Sequence, residues 1–300
     1  MIKRYFKNGA VLSLLSSMLF ATQFPLIKLG LGHIPAQYGA ILECLFTGLL
    51  CLISARLLGH SVRVIFNKEL VISGLLNAAG LIFLFEGLAR VHPGILGLIG
   101  RLYFVYAMLI SYLYFQEQPN RLEMFLIALA ILGVFLVSFQ MGQTGSTSIG
   151  SALGIIFAFL YPALFAIQNA VIKPIVKRFD TSTVLLNTKA YALIPLLIYG
   201  VLRNTSGESS FSLTGVGIIF CSTFLSTFLG LLLFYKALAI ATFRLANLMK
   251  AAEPVFVLLF SCVLFPVALT PQNVIGTLLI LASVGFVAFT QHLQVAEQRR

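Results

Sequence analysis

The sequence predicts an all-α membrane protein with about ten transmembrane helices in two inverted five-helix repeats. Three observations predict it. Of the 300 residues, 59% are hydrophobic and 10% charged, with a mean hydropathy of +1.00, more apolar surface than a soluble fold of this size hides. The apolar residues gather in successive runs of about twenty, the length a helix needs to cross a bilayer. The third to fifth runs also recur, in constant register, as the eighth to tenth.

The runs lie at 9–30, 36–57, 69–89, 93–115, 122–140, 150–172, 182–203, 212–235, 243–265 and 271–291. They are continuous stretches of Leu, Ile, Phe and Ala, which excludes the short alternating strands of an outer-membrane barrel. The first follows Lys3, Arg4 and Lys7 as a signal peptide would, but it is too long and lacks a small-x-small cleavage site. It is expected to remain as the first helix.

A shift of 150 residues lays Gly80-Leu81 on Gly230-Leu231, Leu88-Ala89 on Leu238-Ala239, Ser111 on Ser261, Phe115 on Phe265 and Phe139 on Phe289. A shift of 141 pairs Gly9 with Gly150 and Phe24 with Phe165, which joins the first and sixth runs. Each half therefore holds five helices, at 1–140 and 150–300, and an odd number makes the second half cross in the opposite sense. Inverted repeats of this kind place a transported solute near the midplane between the halves. The uncharged Gly, Ser and Thr of segment 141–149 read as an external linker.

The net charge of +11 is not a nucleic-acid footprint, because its distribution follows the membrane. With the N-terminus inside, the inner side holds Lys3, Arg4, Lys7, Arg56, Arg63, Lys68, Arg121, Lys173, Lys177, Arg178, Lys236, Arg244, Arg299 and Arg300. The other side holds only Lys28, Arg90 and Arg203. By the positive-inside rule both termini are cytoplasmic. Cys44, Cys51, Cys221 and Cys262 lie within runs without metal spacing and are expected to be buried small apolar residues. His33, His60, His92 and His292 sit at span ends or in tails, so no metal or other cofactor is expected.

Charged side chains at the centre of a span cost about 3 kcal/mol each on insertion scales and face a cavity or a partner. Glu43, Arg101, Lys189, Lys250 and Glu253 occupy such positions, Arg101 and Glu253 the deepest. Asn247, Lys250 and Glu253 recur every third residue on one face of the ninth helix. At the 150-shifted positions stand Gly97, Gly100 and Tyr103, which leaves room for a solute between the halves. The candidate substrate-binding residues are therefore Glu43, Arg101, Tyr103, Lys189, Asn247, Lys250 and Glu253. Plainer readings stand beside this one: Lys250 pairs with Glu253, Glu43 neutralises Arg101, Lys189 snorkels to the interface, and Gly94, Gly97 and Gly100 only let helices approach. Glu86 and Lys236, equivalent in the two halves, are candidate gate or rim residues near opposite surfaces. Pro254 breaks the ninth helix as a hinge beside ligand-accepting carbonyls or as an ordinary kink.

Three stretches resemble the drug/metabolite transporter superfamily, in its ten-helix EamA-type branch. They are Phe20-Ala21-Thr22-Gln23-Phe24-Pro25-Leu26-Ile27-Lys28, then Phe234-Tyr235-Lys236-Ala237-Leu238 with a fainter copy at Phe85-Glu86-Gly87-Leu88, and Glu253-Pro254-Val255-Phe256. The resemblance covers nearly the whole chain and implies an inner-membrane carrier with a central cavity. Two positions depart from the pattern: Phe104 stands where the first-half proline is usual, and Val267 replaces the second-half counterpart of Glu117.

No GxxxxGK[ST] phosphate loop or nucleotide domain is visible, so the expected function is secondary transport by alternating access. Three basic and two acidic cavity residues suit a small polar metabolite carrying both a carboxylate and an ammonium group: an amino acid or a derivative such as S-adenosylmethionine. Tyr103, Phe104 and Tyr106 offer aromatic faces for a ring or cation. The alternatives are export of a drug or hydrophobic solute, and an intramembrane enzyme or lipid scramblase. The expected partners are the substrate and the lipid bilayer, with no nucleic acid. Reporter fusions after Arg300 and between Arg56 and Lys68 are expected to report the cytoplasm, and fusions between Gly142 and Ser148 the outer side. A C-terminus reported outside overturns both the helix count and the inverted repeat.

Overall fold

The computed structural model describes residues 9–57, 59, 62–90, 96, 99–117, 121–141, 152–203, 212–253, 255–256, 259–260, 271–272, 274–283 and 286. Cys262, Pro254, Gly94, Gly97, Val267, His60, His92, His292 and nearly all of the linker lie outside the described residues.

The chain is a ten-helix membrane protein. The second, third, fifth, sixth and seventh spans are single helices, Ala36–Leu57, Lys68–Arg90, Arg121–Met141, Ala152–Ile175 and Thr181–Arg203. The tenth contributes Val274–Ser283. The others are interrupted, and the interruptions have local causes. The first span is two helices, Gly9–Phe20 and Gln23–Leu31, parted at Ala21 and Thr22. Pro25 has no N–H to offer the Ala21 carbonyl four residues back, and its ring crowds that turn. The eighth span passes from Leu213–Ser222 through a π-helical stretch, Thr223–Gly230, into Leu231–Ile240. Such wide turns gather at functional sites.

The fourth and ninth spans break at equivalent positions. Arg101 sits in a turn ahead of the helix Leu102–Leu113, and the Phe104 amide bonds back only three residues, to the Arg101 carbonyl, at 3.1 Å. In the ninth span the helix Phe243–Lys250 ends in a tight turn, where the Ala251 and Ala252 amides bond to the Leu248 and Met249 carbonyls at 3.0 and 3.3 Å. Under the 150-residue shift Arg101 falls on Ala251. In the ninth span the cause is legible: Pro254 offers no N–H to the Lys250 carbonyl.

The spans pack in two groups. The second, third, sixth and seventh form one; the first, fourth, eighth and ninth form the other. The groups meet chiefly along two seams, fourth against sixth and second against eighth, with lighter contacts of the eighth on the sixth and seventh and of the first on the second. The fifth and tenth spans pack against each other at Gly133, where an added Cβ would lie 2.7 Å from the Gly276 carbonyl oxygen. Cys44 and Cys51 are buried as expected, whereas Cys221 is exposed. In an apolar span, the outer face of the bundle meets lipid and accepts a thiol as readily as the interior does, so burial was not required there.

Gly74 fixes the third span against the seventh. A Cβ there would sit 3.0 Å from the Thr188 carbonyl oxygen and closer still to the Tyr191 Cβ, neither of which can swing aside. Gly74→Val is therefore expected to destabilise the protein by about 1–3 kcal/mol, read as a lower melting temperature in detergent. Gly217→Val is the control, because an added Cβ there meets nothing within 4 Å.

Candidate functional site

A cavity of about 860 Å³, counting its mouth, lies between the two helix groups. Each group contributes a wall. On the first, the Lys189 Nζ donates to the Glu43 Oε1 at 3.1 Å, joining the seventh and second spans. Beside it the Asn77 amide donates to the Gln168 Oε1 at 3.1 Å, joining the third and sixth. On the second wall, the Arg101 Nη1 donates to the Glu253 Oε1 at 3.0 Å, joining the broken fourth and ninth spans. All six side chains line the cavity.

Lys250 completes the second wall in a different way. Its Nζ lies 4.0 Å from the centre of the Phe20 ring, 4.8 Å from that of Phe234 and 4.9 Å from that of Tyr103. Among the described residues no carboxylate lies within 4 Å of it. Three aromatic faces hold this cation, and their quadrupoles offset part of the cost of its burial.

The floor of the cavity is a hydrogen-bonded row. The Tyr103 hydroxyl donates to the Asn247 Oδ1 at 2.6 Å and accepts from the Asn169 Nδ2 at 2.8 Å. Asn247 in turn donates to the Phe243 carbonyl at 2.8 Å. The lining of the third span, Asn77, Leu81 and Leu84, climbs toward its Arg90 end, and that of the sixth, Tyr161 to Asn169, lies on the Ala152 side of Lys173. The cavity thus lies near the middle of the bundle, and Lys173 lies beyond its floor.

Of the seven residues singled out from sequence, six line this cavity, and Asn247 sits behind its floor. The expected pairings differ. Glu43 is matched with Lys189, not with Arg101, because the two helices that carry them pack together within one group. Arg101 is matched with Glu253, not Glu253 with Lys250. Lys189, 1% exposed, does not snorkel. Glu86 and Lys236 are not at the cavity: Glu86 is buried among Tyr199, Arg90 and Arg203, within the first group, and Lys236 is exposed. Tyr106 does not line the cavity either. The residues missed are Asn77, Gln168, Asn169 and Tyr161, uncharged polar side chains whose signal, an amide or phenol inside an apolar span, is weaker than a charge.

A second polar cluster closes the end of the bundle beyond the floor. Glu117 follows the fourth span and accepts from the Lys173 Nζ at 2.7 Å and from the Ser111 hydroxyl at 2.8 Å. It also accepts from the Phe243 and Arg244 backbone amides at 2.9 and 2.8 Å, capping the helix Phe243–Lys250. Partial burial pushes the Glu117 carboxyl up. The Lys173 ammonium, the two amides and the Ser111 hydroxyl together outweigh it and hold the group below its ordinary value. A depressed carboxyl contributes its full stabilisation above the usual carboxylate range and loses it as pH falls through the lowered value, so the cluster is intact at neutral pH.

The profile of the EamA-like transporter family matches the chain twice, over residues 7–139 and 152–289. No curated protein matches by sequence. A solved crystal structure is similar in fold, with a TM-score of 0.79 over 95% of this chain and 97% of that one, at 13% identity.

The two wall pairs are testable as pairs. Lys189→Met leaves the Glu43 carboxylate buried without its counter-charge, and loss of one partner of a buried pair costs about 3–5 kcal/mol. Glu43→Gln with Lys189→Met is expected to recover most of that loss in melting temperature. Recovery of Lys189→Met by Glu253→Gln instead would put the pairing elsewhere.

Proposed function

Because the chain belongs to the EamA-like transporter family, a family of membrane transporters of small solutes, we propose that it carries a small carboxylate-bearing metabolite by alternating access, an amino acid or a derivative such as S-adenosylmethionine. The membrane is the inner one, with both termini cytoplasmic, and the Lys173 end of the bundle faces the cytoplasm.

Lys250 carries this reading. Glu43 with Lys189 and Arg101 with Glu253 are each neutral as pairs, so the cavity retains one cation in excess. An isolated ammonium is costly in a site that excludes water, and aromatic faces offset only about 0.5–2 kcal/mol of that. A substrate carboxylate supplies the missing anion. Glu253, one turn further along and also at the cavity, answers an ammonium group. Phe104, Phe165, Leu81 and Leu84 give the rest of such a molecule an apolar and aromatic surround.

The same apolar surround favours a second reading, export of a hydrophobic solute, and the carboxylate separates the two. Amino acids and S-adenosylmethionine, each beside its methyl ester, are screened by thermal shift on the purified protein and by counterflow in vesicles. An acid is expected to bind at least about tenfold more tightly than its ester, as the loss of a charge-assisted hydrogen bond of 1.5–3 kcal/mol implies. Lys250→Met is expected to abolish that preference. Equal affinity for acid and ester, or an unchanged preference in Lys250→Met, overturns this reading in favour of the hydrophobic solute.

A further inference from the structure

The two helix groups are each tied internally, and the ties between them are few. Glu43 with Lys189, Asn77 with Gln168, the Ser73 and Thr188 hydroxyls at 3.2 Å, and Glu86 with Arg203 all lie within the first group. Arg101 with Glu253, Tyr103 with Asn247, and the Ser16 hydroxyl on the Gly230 carbonyl at 2.8 Å lie within the second. Polar contacts across the fourth–sixth seam come from one helix, the sixth: Tyr161 to the Leu96 carbonyl at 3.3 Å, Asn169 to Tyr103, and Lys173 to Glu117.

Lys173 differs from the other two in the completeness of its receptor. Its Nζ lies 2.7 Å from the Glu117 carboxylate, 4.6 Å from the centre of the Phe115 ring and 5.7 Å from that of Phe243. The two rings pack on each other with centres 4.9 Å apart. Every wall of this socket belongs to the second group, and the bolt belongs to the first. Side-chain exposures of 8% for Lys173 and 15% for Glu117 show that little solvent enters.

We infer that Lys173 in the Glu117–Phe115–Phe243 socket is the closed gate at one end of the transport path, and that Glu117 positions the substrate-binding Lys250 through the same contact. The positioning follows from the ninth span. Glu117 caps the first turn of an eight-residue helix whose last residue is Lys250, so gate and site are the two ends of one short rod. Opening this end requires the groups to part along the fourth–sixth seam, which withdraws Lys173 and breaks the Asn169–Tyr103 bond above it. Glu86 and its arginines need not break, because both of the spans they join move together. That distinguishes two ion clusters of similar appearance: one is a gate, the other a brace.

The inference rests on the alternating-access reading, and the gate itself is tested without a solute. In a chain whose four cysteines are replaced, Leu231→Cys places a thiol on the cavity wall. A membrane-impermeant maleimide is applied to spheroplasts and to inverted vesicles. With the gate intact, labelling is expected from the spheroplast side. Lys173→Met keeps the bulk and the helix cap but removes the charge, and labelling from the inverted side is expected to rise at least tenfold. Lys173→Arg is expected to restore closure. Glu117→Ala is expected to open the gate similarly and also to weaken carboxylate binding at Lys250. Should Glu117→Ala not fold, Lys173→Met with an unaltered gel-filtration profile decides the matter alone. Inverted-side labelling that is already fast in the parent, or unchanged in Lys173→Met, overturns the gate. Neither result alters the ester test, so failure of the gate and failure of the substrate reading are distinguishable.

Discussion

The hydrocarbon core of a bilayer offers no water, so each charge or backbone amide placed there must find its partner inside the protein. In this chain that requirement decides which helices stand together. Glu43 on the second span needs a cation and the seventh provides Lys189; Arg101 on the fourth needs an anion and the ninth provides Glu253. Each pair ties helices from different repeats into one of two packed groups. The backbone obeys the same rule. Where Pro25 or Pro254 withholds an N–H, the chain turns, and the turns stand at the cavity, where a carbonyl is not left facing lipid.

The two groups carry most of their polar pairs internally and share few across the seam between them. The seam is crossed by a few polar contacts from the sixth span, not by a continuous core of them, and the cavity lies along it. Its walls therefore belong to different helix groups. Among the described residues of the cavity, the one cation with no carboxylate within 4 Å, Lys250, belongs to the group made of broken helices.

Much of this fold is legible in the sequence, because spans are long and lipid imposes one hydropathy on all of them. The ten runs, the 150-residue repeat and the mid-span charges carried the architecture, and six of seven proposed site residues share one cavity. Pairing was not legible. Glu43 has three basic residues within reach on helical grounds alone, and only the order of helices in space selects Lys189. Gate and brace were not separable either: Glu86 and Lys236 stand out as repeat equivalents, whereas Glu117 and Lys173 sit at span ends, where charge is common and carries no signal. The first run, 9–30, reads as one span although Pro25 causes its break at Ala21, and nothing in the sequence marks the π-helical turn at Thr223–Gly230.

The separation of each pair along the chain has a consequence for how the protein is made. Glu43 and its partner lie 146 residues apart, Arg101 and its partner 152. At about 5–20 residues per second, each first-half charge enters the membrane on the order of ten to thirty seconds before its counter-charge is synthesised. Through that interval Glu43 and Arg101 are the only opposite mid-span charges available to each other. The first half therefore crosses the membrane with both charges still lacking the partners they have in the folded protein.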